Sequence, residues 1–539
     1  MSGSITLENR FGVNKMELIS LKYAIFVIVL LVLYYCFPKK YRWYVLLAGS
    51  MAYYVIICKW YVLFIIFTIC TTYGSTIWID KLLKEQNAIV KSHKEDWDRQ
   101  TRKEYKEKGR KKRVAVMLFA LLCNFGILAF LKYIPYADEL GLLLPLGISF
   151  YTFQSMGYVM DVYREIVEPE KNFLKVALFV SFFPQIIQGP IAIYDKLAGQ
   201  LYEGHSLRLE NLQKGALLVL WGVMKKLVIA DRAVNIINFV MDKPMDFSGT
   251  YVFFAAVVYA LQLYADFSGG IDIVRGIAEM FGITMSTNFN HPYFSRSLTE
   301  YWHRWHMTLG DWCRNYIFYP LSISKRFLNF GKWLKPRFGA HISKVLPGCI
   351  ASVITFIVIG VWHGANMKYL YFGLWNGIVI MLAELFAPVN KKVAGGFFKL
   401  TGLREKGIFA TIVSVFWTFM LILVGYYFDI AANASTAFHM LFKSVTDFHI
   451  SELGINNIIL NLGACGLDEY DILLLIICTL LWFFISFVEE NKKLDMRDFI
   501  LSRKLPLRWA IIYLGIFIVI IFGYYGPGVN PADFVYMQF

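Results

Sequence analysis

The protein has 539 residues, 57% apolar, 17% aromatic and 17% charged, and its 54 Lys and Arg against 39 Asp and Glu give a net charge of +15. Soluble globular chains carry about 25% charged and 45–50% apolar residues, so this composition excludes a soluble enzyme, a disordered chain and a secreted disulfide scaffold. The composition fits a polytopic membrane protein, whose basic excess belongs to cytoplasmic loops and anionic-lipid contact rather than to nucleic acid.

In chain order, residues 1–17 read as a polar N-terminal extension, and 18–539 as a single transmembrane domain. Apolar stretches of bilayer-spanning character lie near 18–37, 42–60, 61–79, 114–133, 142–160, 173–194, 215–240, 251–267, 346–362, 369–388, 408–428, 471–488 and 508–524. About eleven of these are expected to be full transmembrane helices and the rest re-entrant or interfacial, which makes the fold class an all-α polytopic membrane protein. Three stretches contain helix breakers: Pro145 with Gly147, Pro184 with Gly189 and Pro190, and Gly269 with Gly270. Irregular backbone at membrane depth survives only when buried in protein or lining a wet cavity. The middle of the chain, about 144–377, therefore reads as the working core.

The segment 81–113 holds 13 Lys or Arg and six Asp or Glu. It reads as a solvated cytoplasmic loop. Together with Lys39, Lys40 and Arg42 it orients the chain with the N-terminus outside. The eight cysteines lie mostly in apolar runs with no C-x-x-C pair, which speaks for buried thiols and against a zinc site.

Polar groups in apolar surroundings are expensive, so they are the first functional candidates. Three clusters qualify. The first, Tyr264 to Asp272, puts Asp266, Ser268 and Asp272 at the end of an apolar helix before a glycine break. Cation binding, proton transfer and helix capping all suit it. The second, Asn288 to Tyr316, mixes Trp302, Trp305 and Trp312 with Glu300, His303, Arg304, His306, Asp311 and Arg314. On a helix His303 and His306 share a face, but no ligand set for a metal is completed. A tryptophan-rich interfacial helix and a reaction-chamber wall are the two readings of this stretch. In the third, His363 ends an apolar run beside Gly364, with Asn366 close by. A buried neutral imidazole there can take a proton from an attacking hydroxyl. Cys313 lacks any feature that would lower its pKa beyond the nearby Arg314, so it makes a poor nucleophile.

These clusters, with LPLGISFYTFQSMGYVMDVYR (144–164), FFPQIIQGPI (182–191) and the tail FVYMQF (534–539), resemble the membrane-bound O-acyltransferase family in its bacterial polysaccharide branch. The likeness is greatest to alginate O-acetyltransferase membrane subunits and less to the teichoic acid D-alanyl transferases. The chain departs from many relatives at Asn315, where they have Asp, and at Gln185, where the alginate branch has His.

The resemblance implies a ring of helices around a central tunnel. It also implies an acyl thioester donor on the cytoplasmic side, acetyl-CoA or an acyl carrier protein, with no bound cofactor or metal. The acceptor is then a hydroxyl of an exported polysaccharide, or a serine of an extracytoplasmic esterase-like partner. His363 matches the family's presumed base and His306 its second histidine. Trp302, Asn366 and His306 are the candidate oxyanion donors. Arg304 and Arg314 either hold a carrier's phosphates or pair with Glu300 and Asp311. The rival readings are a transporter or flippase for a lipid-linked sugar, and a haem- or metal-binding carrier using His303, His306 and His363. A multi-pass protein of a bacterial cytoplasmic membrane, among lipids, is the expected setting.

Overall fold

The computed structural model describes residues 16–134, 139–142, 144–401, 404, 407–454, 457, 463–526 and 534. Most of the polar N-terminal extension, and the tail beyond Phe534, therefore lie outside the described residues. Among the described residues every regular element is helical. The chain divides into two compact units. One comprises the described residues up to Val219 together with Ile271–Ser286; the other comprises Leu220–Gly270 and the described residues from Thr287 onward.

The first unit holds α1 (Leu21–Cys36), α2 (Arg42–Cys58), α3 (Val62–Ser92), α4 (Arg99–Tyr133), α5 (Ile148–Tyr163), α6 (Phe173–Ser181), α7 (Phe183–Gln188), α8 (Tyr194–Tyr202) and most of α9 (Leu209–Met224). Ser20 starts α1 by accepting the Tyr23 N–H, as small polar N-caps do. Gly147 stands before α5 at φ 69°, where a Cβ would collide with the carbonyl of Ile186, so this position requires glycine. Helix α5 is buried from Ile148 through Val162, which explains why its sequence shows no polar face. Rings of Tyr23, Phe26, Tyr53 and Phe183 pack at 5.5–6.3 Å.

The basic segment is not a loop. Helices α3 and α4 run through it and meet at a short turn capped by Asp98, which accepts the Thr101 N–H. Its Lys, Glu, Arg and Gln residues are strong helix formers, and Lys84 pairs with Asp80 one turn away.

The second unit holds a π-helical turn (Lys225–Ala230), α10 (Asp231–Met241), most of α11 (Gly249–Met280), α12 (Leu298–Arg304), α13 (Met307–Cys313), a second π turn (Arg314–Phe318), α14 (Tyr319–Ser322), α15 (Lys325–His363), α16 (Met367–Leu385), α17 (Ala387–Thr401), α18 (Ile408–Ile430), α19 (Ala434–Thr446), α20 (Glu469–Lys492), α21 (Met496–Leu501) and α22 (Leu505–Phe522). Helix α15 is broken at Gly339, φ 81°. Its last part packs on α16 through glycines: a Cβ at Gly360 would lie 2.3 Å from the Tyr369 carbonyl, and one at Gly373 2.3 Å from that of Phe356. Close backbone approach through small residues is the membrane mode of helix association.

Seven helical runs among the described residues are long and apolar enough to cross a bilayer, eight if α16 and α17 form one bent span. The expectation was about eleven. The difference has four sources. The expected span at 18–37 is α1, a helix of only 16 residues. The run 39–92 counts once, although Lys59 at φ 50° divides it into the two expected spans. The expected spans at 142–160 and 173–194 are short helices, the second divided at Phe182. The expected span at 215–240 carries Lys225, Lys226, Asp231 and Arg232 and passes through a π turn. The all-α polytopic class itself holds, and the protein is a multi-pass membrane protein.

The expected break at Gly269 and Gly270 is absent: α11 runs through it without interruption. A Cβ at Gly269 would approach the Gly222 carbonyl at 2.9 Å, so that glycine serves helix contact and not chain reversal.

Candidate active site

The first cluster becomes an ionic network. Asp266, fully buried in mid-helix, accepts a hydrogen bond from Lys226 Nζ at 2.7 Å, and Asp231 Oδ1 lies 2.8 Å from the same nitrogen. Lys225 Nζ donates to Ser268 Oγ at 2.9 Å. Both lysines belong to the π turn, a helical irregularity frequent at functional positions. Asp272 pairs instead with Arg275 at 3.6 Å on its own helix. Asp266 and Ser268 are thus engaged by lysines that sequence reasoning passed over. Charges inside an apolar run were the available signal.

The second cluster does not form one helix. Helix α12 starts at Ser297, whose hydroxyl accepts the Glu300 N–H, and stops after Arg304. Trp305 is extended, and His306 takes φ 43°, ψ 52°, before α13 begins. His303 and His306 therefore share no helical face: His303 is exposed and His306 is buried.

The left-handed turn at His306 is costly for a residue with a Cβ. It is held by a strip running alongside. The Asn288 carbonyl accepts the Met307 N–H at 2.9 Å, and the Asn290 N–H donates to the Arg304 carbonyl at 3.0 Å. Asn288 Oδ1 accepts the Thr308 N–H at 3.1 Å and the Thr308 hydroxyl at 2.9 Å, and lies 3.2 Å from His306 Nδ1. The Phe267 ring meets the imidazole edge-on, centroids 4.9 Å apart.

Arg304 binds Glu300 at 2.7 Å and Glu490 at 3.0 Å, and Arg314 pairs with Asp311. Both arginines are thus engaged by carboxylates. Cys313 is buried on α13.

In the third cluster, His363 is the last residue of α15 and is buried. Its ring lies 5.4 Å from Phe372 and 5.0 Å from Trp362, and Trp362 lies 6.3 Å from His306. Asn366 follows His363 three positions later. It is exposed, caps α16 by accepting the Lys368 N–H at 3.0 Å, and donates to the Ala432 carbonyl.

A small cavity gathers the chemistry in the second unit. His306, His363, Trp302, Tyr301, Tyr426 and Asp429 line it, together with the apolar Leu263, Leu309, Phe372 and Ile422. Trp302 Nε1–H donates to Asn376 Oδ1 at 2.9 Å, while Asn376 Nδ2 donates to the Phe372 carbonyl. Tyr301 and Tyr426 share a hydrogen bond at 2.7 Å, and Tyr293, which donates to the Ala260 carbonyl, lies 3.1 Å from Tyr426. Asp429 Oδ2 accepts the Tyr259 hydroxyl at 2.7 Å. Lys368 Nζ donates to the carbonyls of Asp429 and Ala431 at the end of α18, where a cation suits the helix dipole.

Of the expected site residues, the structure brings together His306, His363 and Trp302. Glu300, Arg304, Asp311, Arg314, Asn366, Asp266 and Ser268 are not among the residues lining the cavity. Asn288, Tyr301, Asn376, Tyr426 and Asp429 were missed as individual residues. The last three stand on α16 and α18 within apolar sequence.

An imidazole pair, an indole and a carboxylate around one cavity are the equipment of proton transfer to and from a bound hydroxyl. Residues 169–335 match the MBOAT, membrane-bound O-acyltransferase family, so the resemblance read from the clusters is borne out. His306 lies within the matched segment and His363 beyond it.

Among curated proteins the chain is 30% identical over 314 residues to the peptidoglycan O-acetyltransferase of Helicobacter pylori, covering 51% of this chain and 56% of that protein. It is 30% identical over 340 residues to a probable alginate O-acetylase AlgI of Pseudomonas putida, covering 62% and 61%. It is 26% identical over 288 residues to the teichoic acid D-alanyltransferase of Bacillus subtilis, covering 52% and 67%. The chain thus spans a little over half the length of the O-acetyltransferase relatives it matches.

Proposed function

We propose that this protein is a membrane O-acyltransferase that moves an acetyl group from a thioester donor to a hydroxyl. The donor, acetyl-CoA or an acyl carrier protein, approaches from the cytoplasm. The hydroxyl belongs to an exported polysaccharide, or to an extracytoplasmic esterase-like partner that completes the transfer. The setting is a bacterial cytoplasmic membrane, with the N-terminus outside and the basic α3–α4 hairpin inside, as basic cytoplasmic segments require.

One observation carries the reading: His306 and His363, 57 positions apart in sequence, line the same cavity. A hydroxyl is too weak an acid to attack a thioester at neutral pH without help. General-base assistance is worth about 10²–10⁴-fold, and fixing the reactants in line adds to it. A cavity imidazole takes the hydroxyl proton as the O–C bond forms and the C–S bond breaks. The resulting imidazolium returns the proton to the leaving thiolate. The sequence favours His363 for this role, with His306 beside it. Trp302 supports the site by holding Asn376, which lines the same cavity, through its indole N–H.

The test compares cells expressing the native protein with cells expressing His363→Ala at equal membrane levels. Ester-linked acyl groups on the envelope polymer are released by mild alkali and weighed. Loss of the acyl groups in the variant is expected, and the mass names the acyl unit. Unchanged acylation would overturn the reading.

A further inference from the structure

We propose that Asn288 is a positioning residue that locks His306 into one tautomer, protonated at Nδ1 with its lone pair at Nε2, in the cavity that His363 also lines. The inference rests on the acyltransferase reading for its chemistry and on geometry alone for the tautomer. The Thr308 backbone N–H can only donate, and it points at one atom of the Asn288 amide at 3.1 Å. That atom is therefore the carbonyl oxygen Oδ1, and the amide cannot be flipped. The same oxygen lies 3.2 Å from His306 Nδ1. Two acceptors do not bond each other, so Nδ1 carries the proton and donates it to Oδ1. The neutral ring then holds its lone pair at Nε2. Fixing one ring nitrogen to define the chemistry of the other is how histidine roles are set.

Asn288 also keeps the ring where it is. Through its main-chain carbonyl and its side chain it binds residues 306, 307 and 308, the turn that a φ of 43° at His306 would otherwise disfavour. The imidazole is buried and meets the edge of Phe267 in the interior, which further restricts it. With His363 taking the hydroxyl proton, His306 Nε2 is left as a hydrogen-bond acceptor in the same cavity, and a ring protonated the other way would offer a donor there instead.

Two variants separate positioning from folding. Asn288→Asp keeps the oxygen that accepts all three bonds, and the amide nitrogen it replaces makes no hydrogen bond. Asn288→Leu removes the oxygen. Acyl transfer in proteoliposomes is expected to keep its rate within about tenfold in Asn288→Asp. In Asn288→Leu kcat should fall at least about 10²-fold with KM nearly unchanged. Wild-type turnover in Asn288→Leu, or equal loss in both variants, would overturn the proposal.

An independent readout needs no activity. In 15N-histidine-labelled protein in bilayers, the His306 signals, assigned by their loss in His306→Gln, should be those of an imidazole protonated at Nδ1. Protonation at Nε2 would refute the tautomer whatever the enzyme does. Absence of transfer by the wild-type protein to any hydroxyl acceptor would instead refute the function while the Nδ1 signal still stood.

Discussion

Replacing Lys226 with Met tests what holds the second unit together around α11. The Lys226 ammonium is buried, with Asp266 Oδ1 at 2.7 Å and Asp231 Oδ1 at 2.8 Å. At an effective dielectric of 20 each contact is worth about 6 kcal/mol of Coulomb attraction before desolvation is counted. Burial of three charges offsets most of that sum, so the intact network contributes little net stability. Removing the cation alone is different, because two carboxylates then remain buried with their shared counter-charge gone. Breaking a buried ion pair on one side costs about 3–5 kcal/mol. For a unit of this size that corresponds to a fall of roughly 6–12 °C in apparent melting temperature. Methionine fills much of the lysine stem's volume, so the loss reports charge and not a cavity. The assay is fluorescence-detected gel filtration of heated detergent extracts, beside membrane abundance. The triple variant Lys226→Met, Asp231→Asn, Asp266→Asn should recover most of the loss. Wild-type melting of Lys226→Met, or a triple variant no more stable than the single one, would refute this account of the cluster.

Trp302→Phe should cost about 1–3 kcal/mol, because it strands the buried Asn376 oxygen that accepts Nε1–H at 2.9 Å; adding Asn376→Leu should restore melting to near the native value. Asn366→Ala should cost about 1 kcal/mol through the lost cap of α16. It should leave the acyl-transfer rate within about twofold, as an exposed residue outside the cavity does. Gly373→Ala should lower membrane abundance by an overpacking cost of about 1–3 kcal/mol, since the new Cβ would lie 2.3 Å from a backbone carbonyl. Gly126→Ala in α4, which meets nothing within 4 Å, should raise stability by about 0.5–1 kcal/mol, measured by the same melting assay.

What the sequence made legible and what it hid follow one physical line. Long apolar runs announce themselves by composition, so α18, α20 and α22 were found with their approximate limits. The residues that meet at the cavity were found where a chemical side chain stood out against apolar neighbours, as His306, His363 and Trp302 do. Asn376, Tyr426 and Asp429 carry no such contrast, because α16 and α18 hold several polar and aromatic residues that face elsewhere. Only packing separates Tyr426, hydrogen-bonded beside the cavity, from Tyr427, which bonds Ser444 instead.

The errors arose where periodicity was trusted through a point at which the backbone leaves it. His303 and His306 were placed on one face by counting 3.6 residues per turn across a helix that ends at Arg304. Gly269 was read as a break because glycine frees the backbone, whereas here its missing Cβ admits the Gly222 carbonyl. Lys225 and Lys226 were absorbed into an apolar span whose helix changes register there through a π turn. The two histidines make the same point from the functional side. One sits on a left-handed residue between two helices, and the other is the last residue of a helix before Gly364 at φ 173°. A side chain carried in mid-helix has its direction set by its neighbours one turn away. A side chain at a helix end is aimed by the local backbone, and fixing that backbone takes dedicated bonds such as the four that Asn288 accepts. The residues that hold such a turn are therefore as much a part of the site as the imidazole they present, and they are the ones a reading by side-chain chemistry passes over.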